Sequence, residues 1–432
     1  MDAPPRPVRR SALRAAFAST AGVVWLALTA PLAAQTYEPD CESISEFIDG
    51  AVADKRVAGA SILVWKDGAE RCFKIAGEAD REEKRPFARD TLVQVFSLTK
   101  PVTGVALMTL WEDGKFALDD PLYWYLPEYE NAQVLRGETP EGVAIVSPPK
   151  RPITVRDILR HTAGFTYGAD GNPQNGADRV WEALQPLSSD KTLAEFSQAM
   201  AQVPLLYEPG TQWSYSAGVD VQARLVEALS GKPFVDYVHE TILDPLGMDD
   251  SGWRRDEADL ERLARIYTVG EDGSFTPAPR EIWLEPNFAG KPMTMGGSGL
   301  VASVDDYLRF ARMLLQEGEL GGVRILDPAT VRLMATDHLD PSITPENRSW
   351  LVGKGNGGFG FDFFVRTGPP LNAEENRGSV GEFFWDGWPS MLFWVDPKQD
   401  MVVIFATQKW PFDNALHHDV REAVYGADYT GE

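Results

Sequence analysis

The most informative stretch of the chain is Val95-Phe96-Ser97-Leu98-Thr99-Lys100-Pro101-Val102-Thr103-Gly104. Apolar side chains recur at helical spacing from Thr99 to Glu112, and Gly114 follows the last of them. Ser97 therefore lies at a predicted helix start, with Lys100 one turn along on the same face. A serine hydroxyl becomes nucleophilic when a neighbour takes its proton, and a lysine desolvated by apolar neighbours has a lowered pKa and can do so. The spacing predicts a Ser97 nucleophile activated by Lys100.

Further segments follow in the order of landmarks found in one known family. They are Trp111-Glu112-Asp113-Gly114-Lys115, residues 153–164, Pro209-Gly210-Thr211-Gln212-Trp213-Ser214-Tyr215-Ser216 and Gly296-Gly297-Ser298-Gly299-Leu300. Together with Ser97-x-x-Lys100 they make the chain resemble the serine β-lactamase and penicillin-binding-protein superfamily, and within it the class C β-lactamase-related proteins. The resemblance implies that Tyr215 shares proton transfer with Lys100. It also implies that the backbone N–H groups of Ser97 and Trp388 form an oxyanion hole, and that His161 is structural.

The chain departs from the lactam-binding members at two motifs. Their second motif is Tyr-x-Asn, whereas Tyr215-Ser216-Ala217 has no amide for an acylamido group. Their third motif carries a cation, and its nearest match by position is Trp385-Asp386-Gly387; Arg366-Thr367-Gly368 is closer by letters but precedes two prolines that suit a strand exit. We therefore place Trp385, Gly387 and Trp388 in the substrate site. The departures indicate similarity to the family VIII carboxylesterases.

Asp386 departs from the esterase pattern as well, since the usual motif there is Trp-Gly-Gly. A carboxylate facing the oxyanion would oppose its charge, but strand alternation lets Asp386 point away from the face of Trp385. This residue motivates one alternative, a catalytically weak binding or regulatory relative. A second alternative is a D-Ala-D-Ala carboxypeptidase or β-lactamase acting on peptidoglycan-type substrates.

The leading hypothesis is a secreted serine hydrolase, a carboxylesterase with possible acyltransferase side activity, that acts through an acyl-enzyme on Ser97. Phe384, Trp385 and Trp388 make the site aromatic, which suits a small-molecule ester that is uncharged and apolar. The sequence predicts no cofactor. The glycine run at 353–358 opens onto a strand and is expected to be a mobile loop, not a nucleotide site. The histidines lack metal-ligand spacing, and His417 and His418 beside Asp419 are expected at the solvated surface.

The family resemblance implies an α/β fold class, a β-lactamase/transpeptidase-like fold with an antiparallel sheet flanked by helices and a large, mostly helical inserted domain. Strand patterns occur at 58–65 and 71–76, and again at 359–365, 391–395 and 401–405, with mostly helical patterns between. The two sheet-forming ends must therefore meet. We assign residues 35–118 and 317–432 to the α/β domain and 119–316 to the insertion.

The first 34 residues have the layout of a secretory signal peptide. Four arginines precede an apolar run at 23–28, and small residues follow, with cleavage expected near Ala34. The alternative is an uncleaved membrane anchor, but Pro31 and Gln35 make the apolar run short for a span. We therefore expect cleavage, no stable membrane insertion afterwards, and a periplasmic or secreted protein. A formal net charge of −23 would repel nucleic acid and anionic lipid.

Both cysteines, Cys41 and Cys72, follow the predicted cleavage site. A helix over 42–54 that packs antiparallel along the first strand would begin near the turn at 66–68, close to Cys72. In an oxidising compartment this pair is expected to form a disulfide, the alternative being two buried thiols.

Overall fold

An antiparallel sheet organises the computed structural model, which describes residues 37–169, 171–253, 257–279, 290–372 and 374–431. The predicted signal peptide lies outside these residues. None of the described helices is both long and apolar enough to cross a membrane.

The main sheet is built from both ends of the chain, and its strands run in the order β12-β13-β14-β15-β16-β1-β2-β3. They are β1 Gly59–Lys66, β2 Ala69–Asp80, β3 Arg85–Pro86, β12 Gly357–Phe359, β13 Phe364–Arg366, β14 Phe383–Gly387, β15 Met391–Asp396 and β16 Met401–Thr407. The junction is the pairing of β1 with β16, where Ile62 lies opposite Phe405. The predicted meeting of the two sheet-forming ends, and with it the antiparallel sheet flanked by helices, is confirmed.

Smaller strand pairs lie in the connections. They are β4 Val93–Gln94 with β9 Val301–Ala302, β5 Val134–Glu138 with β6 Ala144–Ser147, β10 Glu319–Leu320 with β11 Val323–Arg324, and β17 Lys409–Trp410 beside β7 Tyr267–Val269 and β8 Phe275–Pro277. The β4–β9 pair is the one that matters for the site, because it joins the chain before Ser97 to the chain after Gly297.

Helices pack on both faces of the main sheet and also fill the long connections between its strands. They are α1 Cys41–Ala53, α2 Thr99–Glu112, α3 Val155–Leu159, α4 Gly176–Leu184, α5 Leu193–Met200, α6 Gly218–Ser230, α7 Phe234–Val238, α8 Asp244–Leu246, α9 Val304–Leu315, α10 Pro328–Met334, α11 Ser349–Val352 and α12 Asn414–Tyr425. On one face Phe47 of α1 packs on Phe405, and on the other Tyr307 of α9 packs on Phe393. With both faces covered, β15 and β16 are buried throughout, which explains their almost continuous apolar sequence.

Helix α2 begins and ends where the sequence predicts, at Thr99 and Glu112, and Gly114 takes the left-handed conformation just beyond it. Its residues from Thr99 to Met108 are all buried, so it runs through the interior instead of along the surface. Gly104 faces the Asp362 carboxylate, and a Cβ there would lie 2.4 Å from Oδ2. A capping box begins α3, in which the Thr154 side chain accepts from Asp157 N and the Asp157 carboxylate accepts from Thr154 N.

The disulfide prediction is confirmed. Cys41, the first residue of α1, is bonded to Cys72 of β2, with 5.6 Å between the two Cα atoms. The helix packs along the β1–β2 hairpin as the sequence suggested. The domain boundaries stay a prediction; the assigned insertion includes α9, which packs on β15 and β16 of the sheet.

Two local expectations are wrong. The stretch 359–365 is not one strand, because the chain turns between β12 and β13, where Gly360 N donates to Phe363 O and Asp362 has a φ of 62°. His417 is not solvated, since it is 2% exposed and its Nε2 lies 3.0 Å from Ser390 O. In both cases contacts distant in sequence outweigh the local pattern; at the turn, Phe361 N donates to Met334 O and Asp362 N donates to Leu159 O.

Candidate active site

Ser97 lies in a single 3₁₀ turn, Phe96–Leu98, that leads directly into α2. Val95 N donates to Leu300 O, and the Tyr307 hydroxyl donates to Leu98 O at 2.8 Å, so both sides of the turn are anchored to the chain near β9 and α9. Phe96 has a φ of 45°, an uncommon conformation for a residue other than glycine. The turn leaves Ser97 half-buried, while Leu98 and Lys100 after it are buried.

Lys100 points back along its helix to the serine, as the spacing predicts. Its Nζ lies 3.1 Å from Ser97 Oγ and donates to Gly297 O at 2.7 Å. Burial lowers the pKa of Lys100 to about 8, against the opposing effect of the Asp220, Asp362 and Asp386 carboxylates. A lysine with this pKa is partly neutral in mildly alkaline water, so it can accept the serine proton.

Tyr215 approaches the same oxygen from the loop before α6. Its hydroxyl donates to Ser97 Oγ at 2.7 Å, and Lys100 Nζ lies 4.6 Å from the centre of its ring. Burial raises the pKa of Tyr215 far above its usual range, so the phenol keeps its proton. The directions of the two pKa shifts suit Lys100 as the proton acceptor and Tyr215 as the donor.

A buried carboxylate positions Lys100 through one residue, Gly297. Asp220 Oδ1 accepts from Gly297 N at 3.0 Å, and the carbonyl of Gly297 accepts from Lys100 Nζ. Burial raises the pKa of Asp220, while the hydrogen bond from Gly297 and the charge of Lys100 lower it. Tyr167, also buried, places its ring 5.6 Å from Lys100 Nζ. Sequence reasoning missed Asp220 and Tyr167, since neither belongs to a motif with a recognisable spacing.

The predicted substrate-site residues lie on β14 and the turn after it, beside the serine. Gly387 faces the 3₁₀ turn so closely that a Cβ would lie 2.6 Å from Val95 O. The ring of Trp388 packs on that of Phe96 at 5.3 Å, and Trp385 Nε1 donates to the Tyr215 hydroxyl at 3.4 Å. The structure thus brings Ser97, Lys100, Tyr215, Trp385, Gly387 and Trp388 together. Arg366, the competing match, forms a buried ion pair with Glu382, the residue just before β14.

Asp386 points to the opposite face of the sheet from Trp385 and Gly387. Its carboxylate forms an ion pair with Lys354, and His417 Nδ1 of α12 lies 3.9 Å from the same oxygen. Lys354 belongs to the glycine run at 353–358, which leads into β12 as expected. The buried ion pair anchors this lysine, a contact that the expectation of a mobile loop missed.

An aromatic wall borders the serine. Trp350 of α11 is 48% exposed and stacks on the Tyr215 ring at 5.1 Å and on Trp213 at 5.7 Å. Trp385 lies against Tyr215 at 5.4 Å. Trp350 is the exposed part of this wall and Tyr215 is half-buried, whereas Trp385 is fully buried. Sequence reasoning missed Trp350 because it stands in no motif.

His161 is a packing residue in this arrangement. It is 1% exposed, its ring contacts those of Trp213, Tyr215 and Phe359, and its Nδ1 lies 3.3 Å from Ser216 Oγ. Burial holds its pKa well below the usual value, so the ring is neutral. Within the described ranges no cluster of His, Cys, Asp and Glu is suited to holding a metal ion.

Comparison with known proteins agrees with this geometry. A family model described as Beta-lactamase matches residues 44–426. The chain is 31% identical over 392 residues to an uncharacterized protein of Mycobacterium tuberculosis, covering 89% of this chain and 92% of that one. It is 28% identical over 389 residues to the lovastatin esterase of Penicillium rubens, covering 87% and 92%. Among solved structures it is similar to EstCE1, described as a hydrolase with promiscuous acyltransferase activity, with a TM-score of 0.74, 25% identity and coverage of 89% and 98%.

Proposed function

This chain belongs to the Beta-lactamase family, and from that membership we propose that it is a serine hydrolase that cleaves carboxylic esters through an acyl-enzyme on Ser97. One observation carries the proposal: Ser97 Oγ lies 3.1 Å from Lys100 Nζ and 2.7 Å from the Tyr215 hydroxyl. A proton acceptor and a proton donor therefore contact the same half-buried oxygen, which is the arrangement that nucleophilic acyl transfer requires.

The mechanism follows from these contacts. Neutral Lys100 accepts the proton as Ser97 Oγ attacks the ester carbonyl, and the backbone N–H groups of Ser97 and Trp388 stabilise the negative carbonyl oxygen. Tyr215 donates its proton to the departing alkoxide and recovers a proton from Lys100. Water then attacks the acyl-enzyme by the reverse path, or an alcohol does so in acyl transfer.

The residues around the serine favour an ester over a lactam or a peptide. Ala217 is fully buried and its methyl group cannot hydrogen-bond an acylamido arm. Trp385 occupies the position at which lactam-binding relatives carry a cation, and its N–H is directed to Tyr215. Loss of a charge-assisted contact to a substrate carboxylate lowers binding by roughly 1.5 to 3 kcal/mol. The lovastatin esterase and EstCE1, both similar in sequence along most of the chain, support the ester assignment.

The substrate class is a small-molecule ester that is uncharged and apolar. The supporting feature is the aromatic wall beside Ser97, where the exposed Trp350 and the half-buried Tyr215 would hold an acyl or alcohol group by apolar contact. The excess of acidic residues in the chain, 64 against 41 basic ones, disfavours anionic substrates at long range.

The test is a panel of p-nitrophenyl esters from acetate to decanoate, assayed beside nitrocefin on the purified protein with Ser97→Ala as control. The proposal expects turnover of the esters, a preference for the longer acyl chains, and little or no nitrocefin hydrolysis. Repeating the assay with added alcohol measures acyl transfer. Rapid nitrocefin turnover with inert esters would reject the proposal in favour of a lactam- or peptide-directed enzyme.

The protein is proposed to work outside the cytoplasm. The signal-peptide layout of the first 34 residues and the disulfide between Cys41 and Cys72 support this location, because disulfides persist in oxidising compartments. Fractionation of expressing cells with intact-mass measurement tests it: a periplasmic or extracellular product beginning near Gln35 is expected, and a cytoplasmic product that retains Met1 would contradict it.

A further inference from the structure

A buried ion pair lies directly behind the strand that lines the candidate site. Asp386 stands between Trp385 and Gly387 in β14, and its carboxylate pairs with Lys354 Nζ. The two side chains are 8% and 5% exposed, so water screens neither charge effectively. Asp386 thus carries a negative charge two residues before Trp388, a candidate oxyanion donor. Lys354 is the residue that neutralises this charge.

Lys354 also contacts the aromatic wall. Its Nζ lies 4.5 Å from the centre of the Trp350 ring, 4.7 Å from that of Phe412 and 5.9 Å from that of Trp385. These are cation–π distances, and Trp350 in turn stacks on Tyr215. The buried ammonium group of Lys354 therefore contacts Asp386 of β14 and also Trp350 of the aromatic wall.

The other groups that face Asp386 do not replace this charge. His417 Nε2 lies 3.0 Å from Ser390 O in the turn after Trp388, and burial lowers the pKa of His417 to about 4, so its ring is neutral at ordinary pH. Arg421 of the same helix pairs with Glu382, and Lys409 pairs with Asp413. Lys354 supplies the positive charge, while His417 anchors the turn.

We propose that Lys354 is a positioning residue of this active site: by neutralising Asp386 it fixes β14 and the Trp388 turn, and it keeps the Asp386 charge from opposing the oxyanion. The inference rests on the proposed ester hydrolysis, since an oxyanion forms only if Ser97 attacks a carbonyl. The charge of Asp386 already reaches the reacting groups, because it raises the pKa of both Lys100 and Tyr215. Without Lys354 that effect would grow.

The experiment compares Lys354→Met, Asp386→Asn and the double variant with wild type. For each protein kcat and KM for a p-nitrophenyl ester are measured against pH, together with the melting temperature. Lys398→Met, which removes an exposed lysine in the turn between β15 and β16, is the matched control and is expected to behave as wild type.

We expect Lys354→Met to lower kcat by roughly tenfold to a hundredfold with little change in KM, a loss comparable to or smaller than that of one oxyanion-hole donor. Its activity should also need a higher pH, because the unneutralised Asp386 holds the proton on Lys100 more tightly. The double variant should recover most of the kcat and return the pH profile to that of wild type. A purely structural role for Lys354 would lower the melting temperature without moving the pH profile.

Four outcomes would count against the inference. A Lys354→Met enzyme with wild-type kcat and pH profile overturns it, and so does a folded double variant as impaired as Lys354→Met, because the loss would then come from packing and not from charge. If Lys354→Met does not fold, the folded double variant and Asp386→Asn carry the test: both should keep kcat near wild type, and a hundredfold loss in each would overturn the inference.

Wild-type turnover that disappears in Ser97→Ala establishes the proposed function separately. Absence of wild-type turnover would overturn that function and this inference with it.

Discussion

The Tyr215 hydroxyl donates a 2.7 Å hydrogen bond to Ser97 Oγ, although 118 residues separate the two in sequence. Lys100 Nζ lies 3.1 Å from the same oxygen. The serine and lysine come from the start of α2, whereas the tyrosine comes from the loop before α6, and these two helices pack together. The packing of α2 on α6 therefore assembles the three groups.

Tyr215→Phe should lower kcat by about a hundredfold to ten-thousandfold, the usual contribution of a positioned acid or base. The phenyl ring keeps the stacking on Trp350, so the fold and KM should change little. Steady-state kinetics with a p-nitrophenyl ester checks this, and an unchanged melting temperature is the control. Turnover within a few-fold of wild type would show that Tyr215 is not the proton donor.

The activity should rise with pH and reach half of its plateau near pH 8, because burial lowers the pKa of Lys100 to about 8. Below that pH Lys100 carries its proton and cannot accept another from Ser97; above it the amine is neutral and can. A kcat/KM profile from neutral to alkaline pH, corrected for spontaneous ester hydrolysis, measures this limb. Lys100→Arg, which stays charged, should be inactive throughout. A profile without the limb would exclude Lys100 as the base.

Asp220→Asn should move that limb to lower pH. The carboxylate of Asp220 raises the pKa of Lys100, and an amide removes the charge while its oxygen can still accept from Gly297 N. Asp220→Ala also loses the hydrogen bond, so it should lower kcat in addition to shifting the limb. The same kcat/KM profiles, recorded for both variants, test the prediction. An unmoved limb in Asp220→Asn would mean that this carboxylate does not act on Lys100.

Replacing both cysteines with alanine should lower the free energy of unfolding by about 2–4 kcal/mol, because the bridge closes a loop in the unfolded chain. The bridge spans a sequence separation of 31 and joins α1 to β2, away from the Ser97 cluster. Denaturant unfolding followed by tryptophan fluorescence measures the loss, and kcat should be unchanged. Dithiothreitol should destabilise wild type but not the variant. Equal unfolding midpoints for wild type and the variant in the absence of dithiothreitol would contradict the prediction.

Sequence patterns predicted the elements whose causes are local. Helix α2 and the hairpin of β1 and β2 each follow from apolar spacing or turn residues within one short segment. The pairing of Cys41 with Cys72 was predictable as well, because a helix next to a hairpin leaves few arrangements. The resemblance to a known family placed Tyr215 and Trp385, which no local pattern identifies.

The residues that the sequence did not reveal act through contacts distant along the chain. Asp220 acts on Lys100 through hydrogen bonds to Gly297. Asp386 pairs with Lys354, which lies 32 residues earlier in a glycine run whose sequence predicts a loop. His417 stands beside two polar residues, yet α12 turns it toward Ser390 and buries it. Such pairs depend on how whole elements pack, and that packing leaves no mark in local periodicity.

The most direct test of the Ser97 nucleophile is covalent labelling with a fluorophosphonate, followed by intact-mass measurement and peptide mapping. Labelling requires an activated hydroxyl, so wild type should take up one phosphonyl group on the peptide that contains Ser97, and Ser97→Ala should take up none. Turnover of an ester by Ser97→Ala should fall by up to about a millionfold in parallel. Labelling on another residue, or equal labelling and turnover in wild type and Ser97→Ala, would contradict the proposed mechanism.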